Sequence, residues 1–351
     1  MVSHSQHAIQ CILPPHMLEA IKIRGDARLR RMAERIEEEA DRARQARAAA
    51  APPTAYLGVA AARKGAAPHR QVYNGLHRVA LPGKLVHSEG DPPVKDEAVN
   101  QAYDLTGAVF DFYLKAFRRN AMDGRGMQII STVHHRRKYN NAFWNGSQMV
   151  FGDGDGRLFR NFMDLSIVGH ELSHGVVQYS GGLTYQDQSG ALNESFADVF
   201  GVLAEQYAKK QTVSEASWLV GATIFGPEIQ GQALRSLKTP GLAYDDPLLG
   251  KDPQPYHMDL YVNTSSDYGG VHINSGIPNQ AFYLLAQLLG GHAWEKAGQI
   301  WYRAMQTLNN PLATFTDWAD ETIEAATTLF DAHSYEVQMT RRCWRLVGIH
   351  L

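Results

Sequence analysis

Cysteine and long apolar runs are scarce in this sequence. Cys11 and Cys343 are the two cysteines among 351 residues, too few for a disulfide framework. No run approaches the roughly 18–20 consecutive apolar residues that span a bilayer, so we expect no membrane partner. The formal net charge of -2 gives no electrostatic reason to expect nucleic acid. Residues 1–7 lack the basic and apolar regions of a secretory signal, which predicts a cytoplasmic protein or export by a non-classical route.

The N-terminal part of the chain differs in character from the rest. Pro14-Pro15 predicts an extended start to a short helix, which ends at Gly25-Asp26. Strong helix formers with a narrow apolar stripe follow from Ala27 to about Ala48. Residues 51–68 are rich in Ala, Pro and Gly and predict a flexible linker. A helical arm over residues 1–50, a linker and then a larger domain is the layout of a latent precursor. The alternative for the arm is a solvated helix or part of a coiled coil.

Two histidines lie four residues apart in the stretch His170-Glu171-Leu172-Ser173-His174. On a helix, this spacing places both imidazoles on one face, where they can bind one metal ion. Glu171 lies beside them and is available to take a proton from metal-bound water. The alternative is two ordinary histidines on a buried helix.

A catalytic zinc site normally has a third protein ligand and leaves the fourth position to water. Downstream, Glu194 and Asp198 lie four apart among small and apolar residues, which predicts a buried pair of carboxylates. We therefore expect Glu194 to be the third ligand and Asp198 to accept a hydrogen bond from a ligating histidine. The alternative is a surface helix with two solvated acids.

These motifs together resemble the thermolysin family of zinc metalloendopeptidases. The resemblance extends from about Val72 to the C-terminus and rests on motifs in the family's order. They are Asn140–Gly146, Gly152–Gly156, His170–His174, Tyr185, Gly190–Asp198, Leu234–Ser236 and Asp267–Gly276. The Pro-Pro-x-x-Leu start also resembles the short propeptide of the protealysin-like branch, which implies that the arm binds the chain's own cleft. Cys11 could ligate the zinc as a thiolate, but an ordinary thiol is the simpler interpretation.

The resemblance implies an α+β fold with two lobes. A mixed α/β N-terminal lobe is expected over residues 69–163, a central zinc-binding helix over 164–180, and an all-helical C-terminal lobe over 181–351. The expected activity is hydrolysis of peptide bonds by a zinc-activated water, with Glu171 as general base. The resemblance also assigns His272 and Tyr185 to stabilise the reacting oxygen and Asp267 to orient His272. A histidine in a glycine-rich loop would otherwise be unremarkable.

The resemblance further assigns residues that position the site and the substrate. Asp198 should hold His170, and Asn193 should hold His174. Peptide substrate is expected to pair with an edge strand at Asn141 and Ala142. Arg235 would bind a substrate carbonyl, the alternative being a surface ion pair. A pocket for a bulky hydrophobic residue on the C-terminal side of the cleaved bond is implied by Ile167, Val220 and Leu234.

One departure from the family concerns its double calcium site, which draws on five acids. Only Glu205 is matched here, and Ser166 and the segment 217–222 carry no carboxylate at the corresponding positions. Because Ca²⁺ needs six to eight oxygen ligands, we predict that this site is absent. Asp153-Gly-Asp-Gly predicts a tight turn rather than a calcium loop.

Two other functions remain compatible with these motifs. One is an inactive protease fold that binds a partner protein through its cleft and its arm. The joint presence of Glu171, the three ligands, Tyr185 and His272 argues against it. The other is an exopeptidase, although no obvious clamp for a free peptide terminus is evident.

Overall fold

The computed structural model describes residues 10–49 and 66–351 of the chain. Most of the predicted linker, residues 51–65, therefore lies outside the described residues, as do residues 1–9 of the predicted arm.

A mixed six-stranded sheet forms the N-terminal lobe. Its strands lie in the order β1-β5-β6-β4-β2-β3. Neighbours β2, β4 and β6 are parallel, whereas β1 and β6 both run antiparallel to β5. The strand bounds are β1 (Gln10–Cys11), β2 (Arg70–Asn74), β3 (Lys84–Ser88), β4 (Ile129–Val133), β5 (Ala142–Trp144) and β6 (Met149–Phe151). The segments 129–133, 142–144 and 149–151 are rich in β-branched and aromatic residues, which favour strands.

Helices make up most of the remaining structure. The arm forms the two predicted helices, and the second is capped by Asp26, whose carboxylate accepts hydrogen bonds from the backbone N–H groups of Arg28 and Leu29. Asp96 and Asp164 cap α3 and α4 in the same way. The helix bounds are α1 (Pro15–Arg24), α2 (Ala27–Ala49), α3 (Glu97–Phe117), α4 (Leu165–Gln178), α5 (Asp187–Lys209), α6 (Asp267–Asn274), α7 (Gly276–Leu289), α8 (Ala297–Thr307), α9 (Phe315–Phe330) and α10 (Tyr335–Leu346). No described helix is both long and apolar enough to cross a lipid bilayer.

The C-terminal lobe is helical as expected, but it contains one irregular stretch that the sequence pattern did not indicate. Residues between α5 and α6 form a 3-10 turn, Met258–Leu260, and two short ribbons. Pro and Gly recur through this stretch, and both interrupt regular helices. The ribbons are β7 (Leu219–Val220) with β8 (Arg235–Ser236) and β9 (Asp245–Asp246) with β10 (Gly250–Lys251).

Helix α4 lies between the lobes and is almost wholly buried. Each residue from Ser166 to Val177 is buried, and α4 contacts α3 and the sheet on one side and α5 on the other. A helix that is buried all round holds its side chains in fixed positions. It therefore provides a rigid floor for polar residues at the junction of the lobes.

Candidate active site

Three buried side chains from α4 and α5 converge on one point. The Nε2 atoms of His170 and His174 are 3.0 Å apart. Each lies 3.5 Å from a different carboxylate oxygen of Glu194. Two nitrogens bound at about 2.0–2.1 Å to one tetrahedral zinc ion would be about 3.3 Å apart. The three ligand atoms therefore have the spacing that one zinc ion requires.

The hydrogen bonding of Glu194 also fits a metal ion. Its Oε2 atom is buried without a hydrogen-bond partner among the described residues. The other oxygen, Oε1, accepts a hydrogen bond from the Tyr185 hydroxyl. Burying an unpaired carboxylate oxygen is costly, and a cation at the triad would remove that cost. These residues can hold zinc.

The close approach of α4 and α5 depends on glycine. A Cβ atom added at Gly201 would lie 2.3 Å from the Ser166 carbonyl oxygen and 2.9 Å from the His170 backbone nitrogen. Because no side chain fits there, the α5 backbone can reach the backbone of α4. This contact brings Glu194 and Asp198 beside the two histidines.

Further polar groups fix the orientation of both imidazoles. His170 Nδ1 lies 2.9 Å from Asp198 Oδ1, and His174 Nδ1 lies 2.8 Å from Asn193 Oδ1. Burial and the nearby His170 keep the pKa of His174 well below its ordinary value. His174 is thus in the neutral form that binds a metal ion.

Arg235 neutralises Asp198 in the interior. Its Nε and Nη2 atoms each donate a 2.8 Å hydrogen bond to the Asp198 carboxylate. Burial favours a higher pKa for Asp198, but the charge of Arg235 and the hydrogen bond from His170 hold this pKa below its usual value. The surface ion pair considered as an alternative for Arg235 is wrong, because both partners are buried.

Glu171 lies next to the triad on α4 but is oriented by the sheet. Its Oε2 accepts a 2.9 Å hydrogen bond from the backbone N–H of Trp144 in β5. Its Oε1 is buried without a partner among the described residues. Burial and the neighbouring charge of Glu194 raise the pKa of Glu171 well above its usual value. Such a carboxyl group is suited to accepting and returning a proton.

His272 is brought into the site by a left-handed turn. Tyr268, Gly269 and Gly270 all have positive φ angles, at 52°, 85° and 76°. A Cβ atom at Gly269 would lie 2.0 Å from Asp187 Oδ1, so glycine is required by both conformation and space. The turn leaves His272 Nδ1 2.7 Å from Asp267 Oδ1 and His272 Nε2 3.3 Å from the Tyr185 hydroxyl.

The predicted apolar pocket residues lie together beside this centre. Ile167, Val220 and Leu234 are at most 1% exposed. A Cβ atom at Gly221, the neighbour of Val220, would lie 3.2 Å from both Ile167 Cδ1 and Leu234 Cδ1. The Leu234 backbone N–H donates to the Val220 carbonyl at 3.0 Å.

The arm crosses the site as an extended strand. β1 pairs antiparallel with β5, with Cys11 opposite Phe143. The Ile12 N–H donates to the Ala142 carbonyl at 3.2 Å, and Arg235 Nη1 donates to the Ile12 carbonyl at 3.3 Å. The Cys11 carbonyl oxygen lies 3.2 Å from His272 Nε2, and the Leu13 N–H donates to Asn141 Oδ1 at 3.2 Å. Cys11 itself does not belong to the metal-ligand cluster found among the described residues.

Sequence reasoning missed two arm residues that contact the body of the protein. His16 Nε2 lies 3.0 Å from the Tyr244 hydroxyl, and burial lowers the pKa of His16 to about 4. Glu39 contacts His135 at 2.7 Å and Arg136 at 2.6 Å. The one sequence feature that could have indicated the His16 contact is its position directly after the two prolines. Glu39 is one of three consecutive glutamates, and nothing in the sequence distinguishes it.

Comparisons with known proteins agree with this geometry. Residues 67–178 match the catalytic domain of thermolysin metallopeptidases, and residues 181–349 match their alpha-helical domain. An extracellular metalloprotease of Pectobacterium carotovorum subsp. carotovorum is 49% identical over 285 residues, which cover 81% of this chain and 82% of that one. Protease PrtS of Photorhabdus sp. (strain Az29) is 50% identical over 287 residues, covering 80% of this chain and 76% of that protein.

A solved structure is similar over nearly the whole chain. It is the precursor of protealysin, a metalloproteinase from Serratia proteamaculans, with a TM-score of 0.87 and 43% sequence identity. The match covers 97% of this chain and 100% of that one. The fold and the metal-binding triad are those of a metallopeptidase. Within that class, this chain belongs to the thermolysin family, and it is a metalloendopeptidase.

Proposed function

We propose that this chain is a zinc endopeptidase made as a latent precursor, whose N-terminal arm occupies its own substrate cleft. The observation that carries this proposal is the path of residues 11–13. Their main chain pairs with β5 and contacts Asn141, Ala142, Arg235 and His272. The resemblance assigns Asn141, Ala142 and Arg235 to substrate and His272 to the reacting oxygen, so the arm serves as a stand-in for a bound peptide.

The zinc ligands in this proposal are His170, His174 and Glu194. A zinc ion held by them would supply Lewis-acid chemistry, polarising the carbonyl of the bond to be cleaved and lowering the pKa of a bound water to about 7. Glu171, whose Oε1 is unpartnered among the described residues, would accept a proton from the attacking water and deliver it to the leaving amine. Asp198 and Asn193 keep the two imidazoles in the orientation that binding needs.

His272 and Tyr185 stabilise the carbonyl oxygen of the cleaved bond. The support is the Cys11 carbonyl, whose oxygen lies 3.2 Å from His272 Nε2. Asp267 orients His272 and favours its charged form through the 2.7 Å contact at Nδ1. Donors placed at this oxygen act on charge that grows during the reaction.

Residue preference follows from the position of Ile12. If the Cys11 carbonyl marks the bond that is cut, Ile12 occupies the place of the residue on its C-terminal side. Ile12 is apolar and fully buried. Its carbonyl meets Arg235, which adjoins Leu234 and pairs with Val220. We therefore propose cleavage on the N-terminal side of bulky hydrophobic residues, with Ile167, Val220 and Leu234 lining the pocket.

This proposal includes the organisation of the chain into five parts. They are an arm over residues 1–50, a linker over 51–68, an N-terminal lobe over 69–163, a zinc helix over 164–180 and a C-terminal lobe over 181–351. The arm stays docked because Glu39 contacts His135 and Arg136 in the N-terminal lobe. Cutting the linker would let the arm leave the cleft.

The test compares the wild type with Glu171→Gln, both cut in the linker and freed of the arm, in cleavage of peptides that carry one bulky hydrophobic residue. Because Glu171 is the general base, the substitution should lower kcat by about 10²–10⁴-fold. The zinc content measured by elemental analysis should be the same in both proteins, because Glu171 is not a zinc ligand. Cleavage that survives this substitution, or that survives removal of zinc by a chelator, contradicts the proposal. Cleavage only at free peptide ends would favour an exopeptidase, and a wild type that stays inactive after removal of the arm would favour an inactive binding protein.

We further propose that the family's double calcium site is absent. The Ser166 hydroxyl donates to Asp164 at 2.5 Å and accepts a 2.9 Å hydrogen bond from the Gly221 N–H. The Thr223 hydroxyl donates to the other Asp164 oxygen at 2.6 Å. These hydrogen bonds join α4 to the segment 217–223. Glu205, the one matching acid, pairs with Lys209.

Millimolar calcium should therefore leave the melting temperature unchanged. An ion at 100 times its dissociation constant would stabilise the fold by about 2.7 kcal/mol. Such a gain would raise the melting temperature by several degrees in a domain of this size. A calorimetric scan with and without calcium measures the difference, and a rise of that size would show that the site exists.

A further inference from the structure

A second cluster of potential metal ligands lies at one edge of the N-terminal sheet. It consists of His77, His134 and Asp153, whose ligand atoms all lie within 4.8 Å of one another. His77 follows β2, His134 follows β4 directly, and Asp153 follows β6. These strands are parallel neighbours, so their carboxyl ends meet at the same edge. Crevices at the carboxyl ends of parallel strands are frequent ligand sites.

The three side chains point towards one another. His134 Nδ1 lies 2.8 Å from Asp153 Oδ1, and His77 Nδ1 lies 3.5 Å from Asp153 Oδ2. The two imidazole rings are 5.5 Å apart between centroids. One cation between these atoms could therefore contact a nitrogen from each ring and a carboxylate oxygen.

A fourth residue, Asp96, is placed to orient the first histidine. Its carboxylate lies 3.1 Å from His134 Nε2, the ring nitrogen that faces away from Asp153. Metal-binding histidines commonly donate their outer N–H to a carboxylate in this manner. Asp96 can hold a proton on Nε2 when a metal ion takes the place of the proton that Nδ1 shares with Asp153.

The backbone is strained where the cluster forms. His77 and His134 both have left-handed conformations, with φ angles of 55°, and so do Leu76 and Arg136 beside them. Such conformations are uncommon for residues with side chains and often occur at functional sites. Here they occur at the two residues whose imidazoles face Asp153.

Charge and access both suit a cation. Two carboxylates, Asp96 and Asp153, lie beside two imidazoles, so the cluster is negative when both rings are neutral. The side chain of His77 is 40% exposed and that of Asp153 is 29% exposed, so an ion can enter from solvent. His77 Nδ1 also lies 3.2 Å from the Arg136 carbonyl, and metal binding would replace this contact.

We propose that His77, His134 and Asp153 form a second metal site, separate from the catalytic triad, for a divalent transition-metal ion such as Zn²⁺, Cu²⁺ or Ni²⁺. Two imidazoles and one carboxylate suit these ions, whereas Ca²⁺ and Mg²⁺ prefer sites made of oxygen ligands. An ion here joins the connections that follow β2, β4 and β6. Its role is to hold these three loops together, and it takes no part in peptide cleavage.

The experiment counts bound ions in the full chain carrying Glu171→Gln, which prevents self-cleavage. The protein is stripped with a chelator, loaded with excess Zn²⁺, separated from unbound ion, and measured by elemental mass spectrometry. We expect two zinc ions per chain. Adding His77→Asn should reduce this to one, whereas adding His350→Asn, which removes an exposed histidine elsewhere, should leave two.

A second variant tests the role of Asp96. Asparagine at this position can still cap α3, so the helix should persist. Loss of the carboxylate should weaken binding of the second ion by about 10–100-fold, as measured by titration against a competing chelator. Excess zinc should also raise the melting temperature of the His350→Asn chain more than that of the His77→Asn chain.

Two results would overturn the proposal. One is a single zinc ion bound to the protein that carries all four residues, which would make the cluster an ion-pair network only. The other is two ions still bound after His77→Asn, which would place the second ion elsewhere. Should His77→Asn fail to fold, His77→Gln is measured in its place and the same two results apply.

Discussion

His272 illustrates how single charged residues are maintained in the interior of this protein. Burial by itself lowers its pKa, but the charges of Asp267 and Glu194 raise the pKa to about 9. His272 is therefore a cation at neutral pH and can donate to a carbonyl oxygen. The same compensation applies to Asp198, which is buried and remains charged because Arg235 and His170 lie against it. The buried charges of His272 and Asp198 thus have partners of opposite charge, and a metal ion at the triad would pair with the Glu194 carboxylate.

At the residue scale, a pH-dependent contribution is expected from Glu89. Its pKa is lowered to about 2, chiefly by the hydrogen bonds of Arg70 and also by that of Tyr103, although burial opposes this shift. A carboxylate with a lowered folded-state pKa stabilises the fold above its ordinary value of 4.5 and loses this effect as the pH falls towards 2.

Glu89→Gln should consequently lower the free energy of unfolding at pH 7 by roughly 1–2 kcal/mol, because charged hydrogen bonds to Arg70 are lost. The difference from wild type should shrink as the pH is lowered from 4.5 towards 2. Urea unfolding at several pH values measures this difference in the free energy of unfolding. Glu97→Gln, which removes an exposed carboxylate, is the control. A difference that does not change over this range would show that the ion pair is not the cause.

At the scale of elements, the contact between α4 and α5 decides the geometry of the triad. Gly201 lets the two backbones approach each other. Helix α4 supplies the ligands His170 and His174, and α5 supplies Glu194. A wider spacing would separate Glu194 from both histidines, although each helix could still form by itself. The ligand triad is thus a property of the packed helix pair.

Gly201→Ala should disturb this packing, because its Cβ would overlap the backbone of α4. We expect a destabilisation of about 1–3 kcal/mol, typical of an overpacked core, together with weaker zinc binding. Thermal unfolding and zinc titration measure the two effects.

Gly298→Ala is the matched control, because its Cβ would lie 3.1 Å from a Leu203 methyl group and 3.2 Å from the Ala293 carbonyl oxygen, much farther from backbone than the 2.3 Å at Gly201. That variant should lose less stability than Gly201→Ala, since its contacts are looser and alanine favours helix. Equal losses of stability and of zinc affinity in the two variants would show that the backbone contact at Gly201 does not determine the geometry of the triad.

At the scale of the whole molecule, the arm is attached to the body of the protein at both β1 and α2. β1 extends the sheet at β5, and Glu39 on α2 contacts His135 and Arg136. The side chains of Glu39 and His135 are only 8% and 1% exposed, so this contact is largely shielded from water. Opening the cleft requires both attachments to break.

Glu39→Gln should favour the open state, since removing one partner of a buried charge pair costs about 2 kcal/mol or more. The fraction of molecules with an undocked arm should rise at least roughly tenfold. Hydrogen exchange at the backbone amides of Ile12 and Leu13 should accelerate by the same factor, and peptide cleavage by the intact chain should increase. Glu34→Gln, at an exposed position of the same helix, is the control. Unchanged exchange in Glu39→Gln would show that the arm is held by other contacts.

The local features of the fold could be predicted because they depend on neighbours in the chain. Spacing of four residues placed His170 and His174 on one helical face, Asp96 and Asp164 mark helix starts, and apolar runs near residues 129–151 became strands. Such patterns act through backbone hydrogen bonds and side-chain periodicity, which a single sequence displays directly. The irregular stretch between α5 and α6 was not foreseen, because its short ribbons have too few residues to show alternation.

Only the tertiary structure decided which distant residues meet. The sequence by itself determined the composition of the triad and the helices that carry it, since both follow from short-range spacing. It did not determine that β1 of the arm would pair with β5 over Glu171, that Glu39 would reach His135, or that His77, His134 and Asp153 would share one sheet edge. These contacts join positions 19 to about 130 residues apart, and they form only when the strand order and the packing of the whole sheet bring them together.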